Sequence, residues 1–217
     1  MGNNPGFQVS LDLSGRQCLV LGGDEEATEK VFRVLDAGAK VVVVSPTLTT
    51  ELRKLTASAK VIHRGRKFRS TDTQGVFFVL NTIQDDTALS KELEGLAKSE
   101  KFLLWSFDQS SLSNVMMPAL VNRGHLRVAI STSNASPAMA SVLRQQCEEM
   151  FDDSYVQYLD YLGTLRDELQ EKEPSESRRR EQLKGAVEGF TLVGTLEYPQ
   201  SWKDEQVRRQ AVEGKGE

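Results

Sequence analysis

Two stretches of this 217-residue chain combine residue types that could do chemistry. The first is Gly22-Gly23-Asp24-Glu25-Glu26-Ala27, between an apolar run and a helical pattern. A turn that cradles a dinucleotide needs glycine first for the bend, glycine again where backbone touches pyrophosphate, and a small third residue for helix and strand packing. Gly22 and Ala27 fit the outer roles, but Asp24 fills the middle one, where its carboxylate is expected to face and crowd a diphosphate. No acid follows the second strand to take ribose hydroxyls, since Val44-Ser45-Pro46 stands there. The motif leaves open both dinucleotide binding and a sheet that keeps only the topology.

The second stretch runs from 109 to 147 and contains no Asp or Glu. The chain's 31 acids would place about five or six there. It carries Arg123, Arg127, Arg144 and His125 instead. An acid-free, arginine-bearing lining suits an anionic ligand, because carboxylates would repel one. Plain core strand and turn would have the same composition.

The rest of the composition narrows the choices. Hydrophobic residues make up 39% and charged residues 27%, a globular balance. A net charge of −4 argues against nucleic acid as the partner, despite a basic cluster at Lys60, Arg64, Arg66, Lys67 and Arg69. Cys18 and Cys147 make no disulfide framework and read as small buried hydrophobes. With only His63 and His125, no protein-built metal site is expected. No run approaches the roughly 20 apolar residues a bilayer span needs, and the start MGNNPGFQ lacks an export signal, so a cytoplasmic protein is expected.

Around these residues the pattern is strand, helix, strand. An apolar strand, 17–21, meets the glycine turn, a helix follows over 27–37, and Lys40 begins a four-valine strand of the kind buried on both faces of a parallel sheet. The alternation continues with a helix at 49–55, a short strand near Val61, a strand at 76–80, a helix at 87–98 and a strand at 102–107. After a loop containing Pro118, residues 126–131 read as another strand. A helix over 137–151 has Ser136 as N-cap and Pro137 at its first position. The expected fold is α/β, a Rossmann-like doubly wound, mostly parallel sheet running through about residue 150, then a smaller helical dimerisation region. In that region Tyr155, Tyr158, Leu159, Leu162, Leu165 and Leu169 make one apolar stripe, and 178–190 reads as a second helix. The expected division is 1–115 for a nucleotide-binding domain, 116–152 for a substrate loop and dimerisation segment, and 153–217 for a helical region whose tail is partly flexible.

Several motifs in order resemble one family: Leu13-Ser14-Gly15-Arg16, the Gly22-Gly23 turn, Val43-Val44-Ser45-Pro46, Asp85-Asp86, Pro118-Ala119, and Ile130-Ser131-Thr132 through Ser136-Pro137. The chain resembles the precorrin-2 dehydrogenase and sirohydrochlorin ferrochelatase family, the N-terminal module of siroheme synthase. The resemblance implies a homodimer that oxidises precorrin-2 to sirohydrochlorin with NAD and, in bifunctional members, inserts ferrous iron as a second substrate. It places the catalytic aspartate at Asp108, where a carboxylate at the end of a sheet strand can accept a proton. It places NAD contacts at Gly22, Gly23, Glu25, Glu26, Pro46, Thr47 and Thr82. The substrate is a tetrapyrrole with eight carboxylates; Ser131, Thr132 and Ser136 match its loop, and Arg123, Arg127 and Arg144 are candidate partners. Asp85-Asp86 read as a helix N-terminus.

The chain departs from the family at Asp24 (glycine), Ser133-Asn134 (a glycine pair), Trp105 and Ser90 (asparagines) and Glu29 (arginine). Side chains at 133 and 134 are expected to disfavour the positive φ that glycines allow. Asp24 supports a rival reading, an NAD-independent chelatase that lost the dinucleotide turn. A non-catalytic binding protein on the same scaffold is the third.

Overall fold

A computed structural model describes residues 6–133 and 135–204. The chain forms two compact units, residues 1–151 and 152–217.

In the first unit β1 (Gln17–Leu21), β2 (Lys40–Val44), β3 (Val61–Arg64), β4 (Phe78–Asn81) and β5 (Leu103–Ser106) form one parallel sheet in the order β3-β2-β1-β4-β5. The order reverses between β1 and β4, so a crevice opens where the connections leave in opposite directions. Three helices cover the sheet: α1 (Glu25–Asp36), α2 (Thr50–Ala57) and α3 (Thr87–Glu100). Each begins on a side chain that satisfies an orphan amide: Asp24 accepts from Ala27 N, Thr49 from Leu52 N, and Asp86 from Leu89 N. The α1 face carries Cys18, Val20, Ala27, Val31, Val34, Val41, Val43 and Leu52, and the α3 face carries Leu19, Leu21, Val79, Leu93 and Leu104. Burying each Val or Leu contributes about 1.5–3 kcal/mol. Cys18 is fully buried, and burial pushes its thiol up to about 11.

The basic cluster after β3 is organised by one buried acid. Asp72 is 2% exposed and accepts from Arg66 (2.6 and 2.7 Å), from Arg64, and from the Arg69 amide (2.9 Å). The hydrogen bond from Arg66, with those from the Arg69 amide and Arg64, holds its carboxyl well below the usual range against the opposing effect of burial. A lowered folded pKa contributes stability that is full above the unfolded value near 4 and is lost as pH falls below it. Melting temperature should therefore drop more steeply below about pH 4 in the native chain than in Asp72→Asn. At neutral pH that variant should be less stable by about 2–3 kcal/mol, because Arg64 and Arg66 are left without their anion.

The sheet does not continue to residue 150. The outer edge of β5 is occupied by the returning chain: Asn114 Oδ1 accepts from Leu104 N (2.7 Å), its amide group donates to Phe102 O (3.1 Å), and Ser113 Oγ accepts from Ser106 N (2.9 Å). With those groups satisfied, no further strand can pair there. The next strands, β6 (Ala119–Arg123) and β7 (Leu126–Ile130), form a separate antiparallel hairpin. Gly124, at φ +54°, gives the two-residue turn its positive φ. Helix α4 (Pro137–Met150) packs on β6, burying Val121 of the strand and its own Ala140.

The second unit contains α5 (Asp153–Lys172) and α6 (Glu176–Ala186), followed by a helical turn over 200–204. The apolar stripe is present, and Tyr158 stacks on Phe190 and donates to Ala186 O (2.7 Å). Neither helix holds a fully buried residue. Tail residues 205–217 and Asn134 lie outside the described residues.

Candidate active site at the carboxyl edge of the sheet

Parallel strands deliver their carboxyl ends to one edge, and the candidate cofactor residues meet there. Gly22 and Gly23 follow β1, Pro46 and Thr47 follow β2, Thr82 follows β4, and Asp108 follows β5 by two residues. The glycines are required by contact as well as by bending. A Cβ on Gly22, at φ +114°, would lie 2.1 Å from Thr82 Oγ1, and one on Gly23 would lie 1.9 Å from Thr47 O and 2.7 Å from Ser45 Oγ. Thr82 is fully buried; its amide (2.9 Å) and hydroxyl (2.8 Å) both donate to Leu21 O. The Thr49 amide donates to Gly23 O (2.9 Å), and Thr28 and Thr49 share a 2.8 Å hydroxyl bond. The turn is thereby tied to the loops after β2 and β4.

Asp24 does not stand across the turn as expected. It takes an extended conformation, caps α1, and turns its Oδ1 to Ala27 N at 2.9 Å. The helix consequently starts at Glu25 rather than Ala27, because a short acceptor at this position captures the third amide. The amides of Glu25 and Glu26 precede any intrahelical partner and stay available to an anion. The turn thus fits a dinucleotide phosphate through two amides, with one carboxylate folded down beside them.

Asp108 is exposed, and its Oδ2 accepts from the Asp85 amide at 2.8 Å. It has no second hydrogen-bond partner among the described residues. Beside it Trp105 meets Phe107 edge to face at 6.1 Å, and Lys30 Nζ sits 5.0 Å from the Trp105 ring centre. Lys30 is buried and paired to Glu26 (2.6 Å) and Glu29 (3.0 Å). The sequence reading did not single out Lys30; its signal was a lysine inside the apolar face of an amphipathic helix. Ser106 Oγ, at the end of β5, is the one buried side-chain polar atom without a partner among the described residues.

The candidate substrate residues fall into two groups. Ser131 and Thr132 line a cavity of 280 Å³ with Gln8, Met116, Met117 and Pro137. The Ser136 amide donates to Thr132 Oγ1 (3.1 Å), and its hydroxyl caps α4 at Met139 N (3.2 Å). Ser133 takes φ +50°, so a side chain at this position does not block the left-handed turn; its amide donates to Ser131 Oγ at 3.2 Å. The arginines are not gathered at this cavity. Arg123 donates twice to Glu148 O (3.1 and 3.2 Å), Arg144 pairs with Glu148 Oε2 (2.6 Å), and Arg127 donates to Gly124 O and Leu126 O in the hairpin turn. Glu148 lies 12 positions beyond Ser136, roughly 18 Å along the helix. Gln8, Met116 and Met117 were not anticipated as lining residues.

Among the described residues no helix is long and apolar enough to cross a membrane, and no cluster of His, Cys, Asp or Glu could hold a metal ion. The parallel order, the switch-point crevice and the glycine turn define a nucleotide-binding domain of the Rossmann class. A family model for NAD(P)-binding domains matches residues 9–119. The precorrin-2 dehydrogenase of Priestia megaterium is 31% identical over 197 residues, covering 89% of this chain and 96% of that protein. A siroheme synthase of Neisseria meningitidis is 31% identical over 80% of this chain, and one of Nitrosospira multiformis 29% identical over 94%. This chain spans 36% and 45% of their lengths. Among solved structures, SirC, a precorrin-2 dehydrogenase, superposes with a TM-score of 0.70 at 29% identity, covering 85% of this chain and 90% of that one. The chain belongs to the precorrin-2 dehydrogenase family.

Proposed function

We propose that this protein oxidises precorrin-2 to sirohydrochlorin with NAD as a step of siroheme synthesis in the cytoplasm. The observation that carries the reading is Asp108. One carboxylate oxygen is held by a backbone amide and the other has no partner among the described residues, at the sheet edge that also bears the glycine turn. Gly22, Gly23, Pro46, Thr47 and Thr82 shape the nucleotide site, and the Glu25 and Glu26 amides would hold its phosphates. A nicotinamide bound there would supply the hydride acceptor. Asp108 accepts the proton that the macrocycle loses with it, so two electrons and two hydrogens leave the substrate. The cavity at Ser131 and Thr132 receives part of the tetrapyrrole, and the hydroxyls and the start of α4 orient a substrate carboxylate. Arg123, Arg127 and Arg144 contribute by holding the hairpin and α4, with their remaining donors open to the outer carboxylates.

In this reading residues 1–115 hold the cofactor, 116–152 form the substrate loop and dimerisation segment, and 153–217 complete the dimer. A homodimer is supported by α5 and α6, which bury no residue fully on their own, and by the exposed Met139, Val142 and Met150 of α4. Were ferrous iron a second substrate, the same aspartate would take up pyrrole protons as the metal enters.

The deciding experiment is an anaerobic assay of fresh precorrin-2 with NAD, with NADP and with neither, read by the absorption of the oxidised macrocycle. Oxidation that depends on NAD supports the proposal; no oxidation in any arm refutes it. Asp24 favours the rival, an NAD-independent chelatase. Its carboxylate lies beside the phosphate amides, and glycine is a tolerated N-cap. Asp24→Gly should strengthen NAD binding by roughly five- to tenfold, about 1 kcal/mol, in a fluorescence titration. Binding found only in the glycine variant, with iron insertion retained by the native chain, would favour the chelatase.

A further inference from the structure

We infer that Asp85 is a positioning residue that acts through its backbone, fixing the proton-accepting carboxylate and joining it to the cofactor turn. The inference rests on the assignment of Asp108 as proton acceptor. Asp85 takes φ +59°, a left-handed conformation that costs a non-glycine residue energy and that aspartate tolerates better than most. In that conformation its amide donates to Asp108 Oδ2 at 2.8 Å, across from β4 to the end of β5. A carboxylate held at one oxygen presents the other in a fixed direction, and Oδ1 has no partner among the described residues.

The loop carrying Asp85 is pinned on both sides. Ahead of it, Thr82 binds Leu21 O twice and stands against Gly22, and the Ile83 amide donates to Asn81 Oδ1 (3.2 Å). Behind it, Asp86 caps α3 through Leu89 N (2.9 Å). Four residues, Thr82 to Asp85, thus run from the floor of the glycine turn to the proton acceptor with little freedom. A displacement of Thr82 would therefore reach the Asp85 amide and so Asp108. The side chain of Asp85 is not the working part, which sets this role apart from that of a second catalytic carboxylate.

The test compares backbone-compatible and backbone-incompatible replacements. Asp85→Gly and Asp85→Asn keep the amide and accept positive φ, and should retain kcat within about twofold. Asp85→Pro removes the N–H, and Asp85→Val resists the left-handed conformation; each should lower kcat about tenfold or more while leaving KM for both substrates and NAD affinity within about twofold. If the proline variant does not fold, the valine variant carries the comparison. Amide exchange gives a readout independent of turnover: in Asp108→Ala the Asp85 amide should exchange at least about tenfold faster. Full activity of Asp85→Val beside an inactive Asp108→Asn would overturn the positioning role and leave the proton acceptor standing. Equal loss in the glycine, asparagine and valine variants would assign the effect to the side chain and overturn it too. Full activity of Asp108→Asn would remove both assignments.

Discussion

Asp108→Asn is expected to reduce precorrin-2 oxidation by about 10²–10⁴-fold, the range typical of a lost general base, while the melting temperature and NAD affinity stay near native values. Asparagine keeps an oxygen that can accept from the Asp85 amide, so the tie between the loops after β4 and β5 survives. It loses the ability to take up a proton. Because Asp108 is exposed and stabilises no buried charge, the loss should appear in kcat rather than in folding. A stopped-flow measurement under saturating NAD separates the chemical step from release of product. A variant with unchanged kcat would move the proton to solvent or to the substrate's own carboxylates.

Gly23→Ala has the second large effect, and it acts through packing. Its Cβ would fall 1.9 Å from Thr47 O and 2.7 Å from Ser45 Oγ, both on the loop after β2. The first obstacle is backbone, which cannot swing aside as a flexible side chain would. Displacing it breaks the bond from the Thr49 amide to Gly23 O, and with it the register between the turn and the N-cap of α2. A stability loss of about 2–3 kcal/mol is expected in a denaturant titration, together with loss of measurable NAD binding. A variant that kept native stability but bound no NAD would show that the turn can yield and that the glycine serves the phosphate alone.

The sequence reading recovered the five-strand sheet because its information is local. Four consecutive valines need burial on both faces, and Ser136-Pro137 begins a helix wherever it stands. It assigned the strand at 126–131 to the main sheet because periodicity does not report which edge a strand joins. The signal against that assignment was available in Arg123-Gly124-His125-Leu126, a two-residue glycine turn between two apolar runs. Asn114, whose side chain closes the β5 edge from ten residues away, left no such signal. The same limit applies to the site. Residue types placed Gly22, Thr82 and Asp108 at one sheet edge through the strands they follow. The Glu148 carbonyl that Arg123 meets is fixed only once α4 packs on β6, whereas Arg144 reaches the Glu148 carboxylate one turn along its own helix. Asp24 was read as an obstacle from its charge alone, whereas its first use is local, as a cap.

The inert thiol of Cys18 leaves the protein with a chemical handle it did not need to be engineered to have. A maleimide nitroxide added to the native chain reacts at the half-buried Cys147 alone, since Cys18 is sealed in the sheet and its thiolate is disfavoured. One label per subunit, near the carboxyl end of α4, turns the proposed pairing of subunits into a single spin–spin distance that can be read in frozen solution.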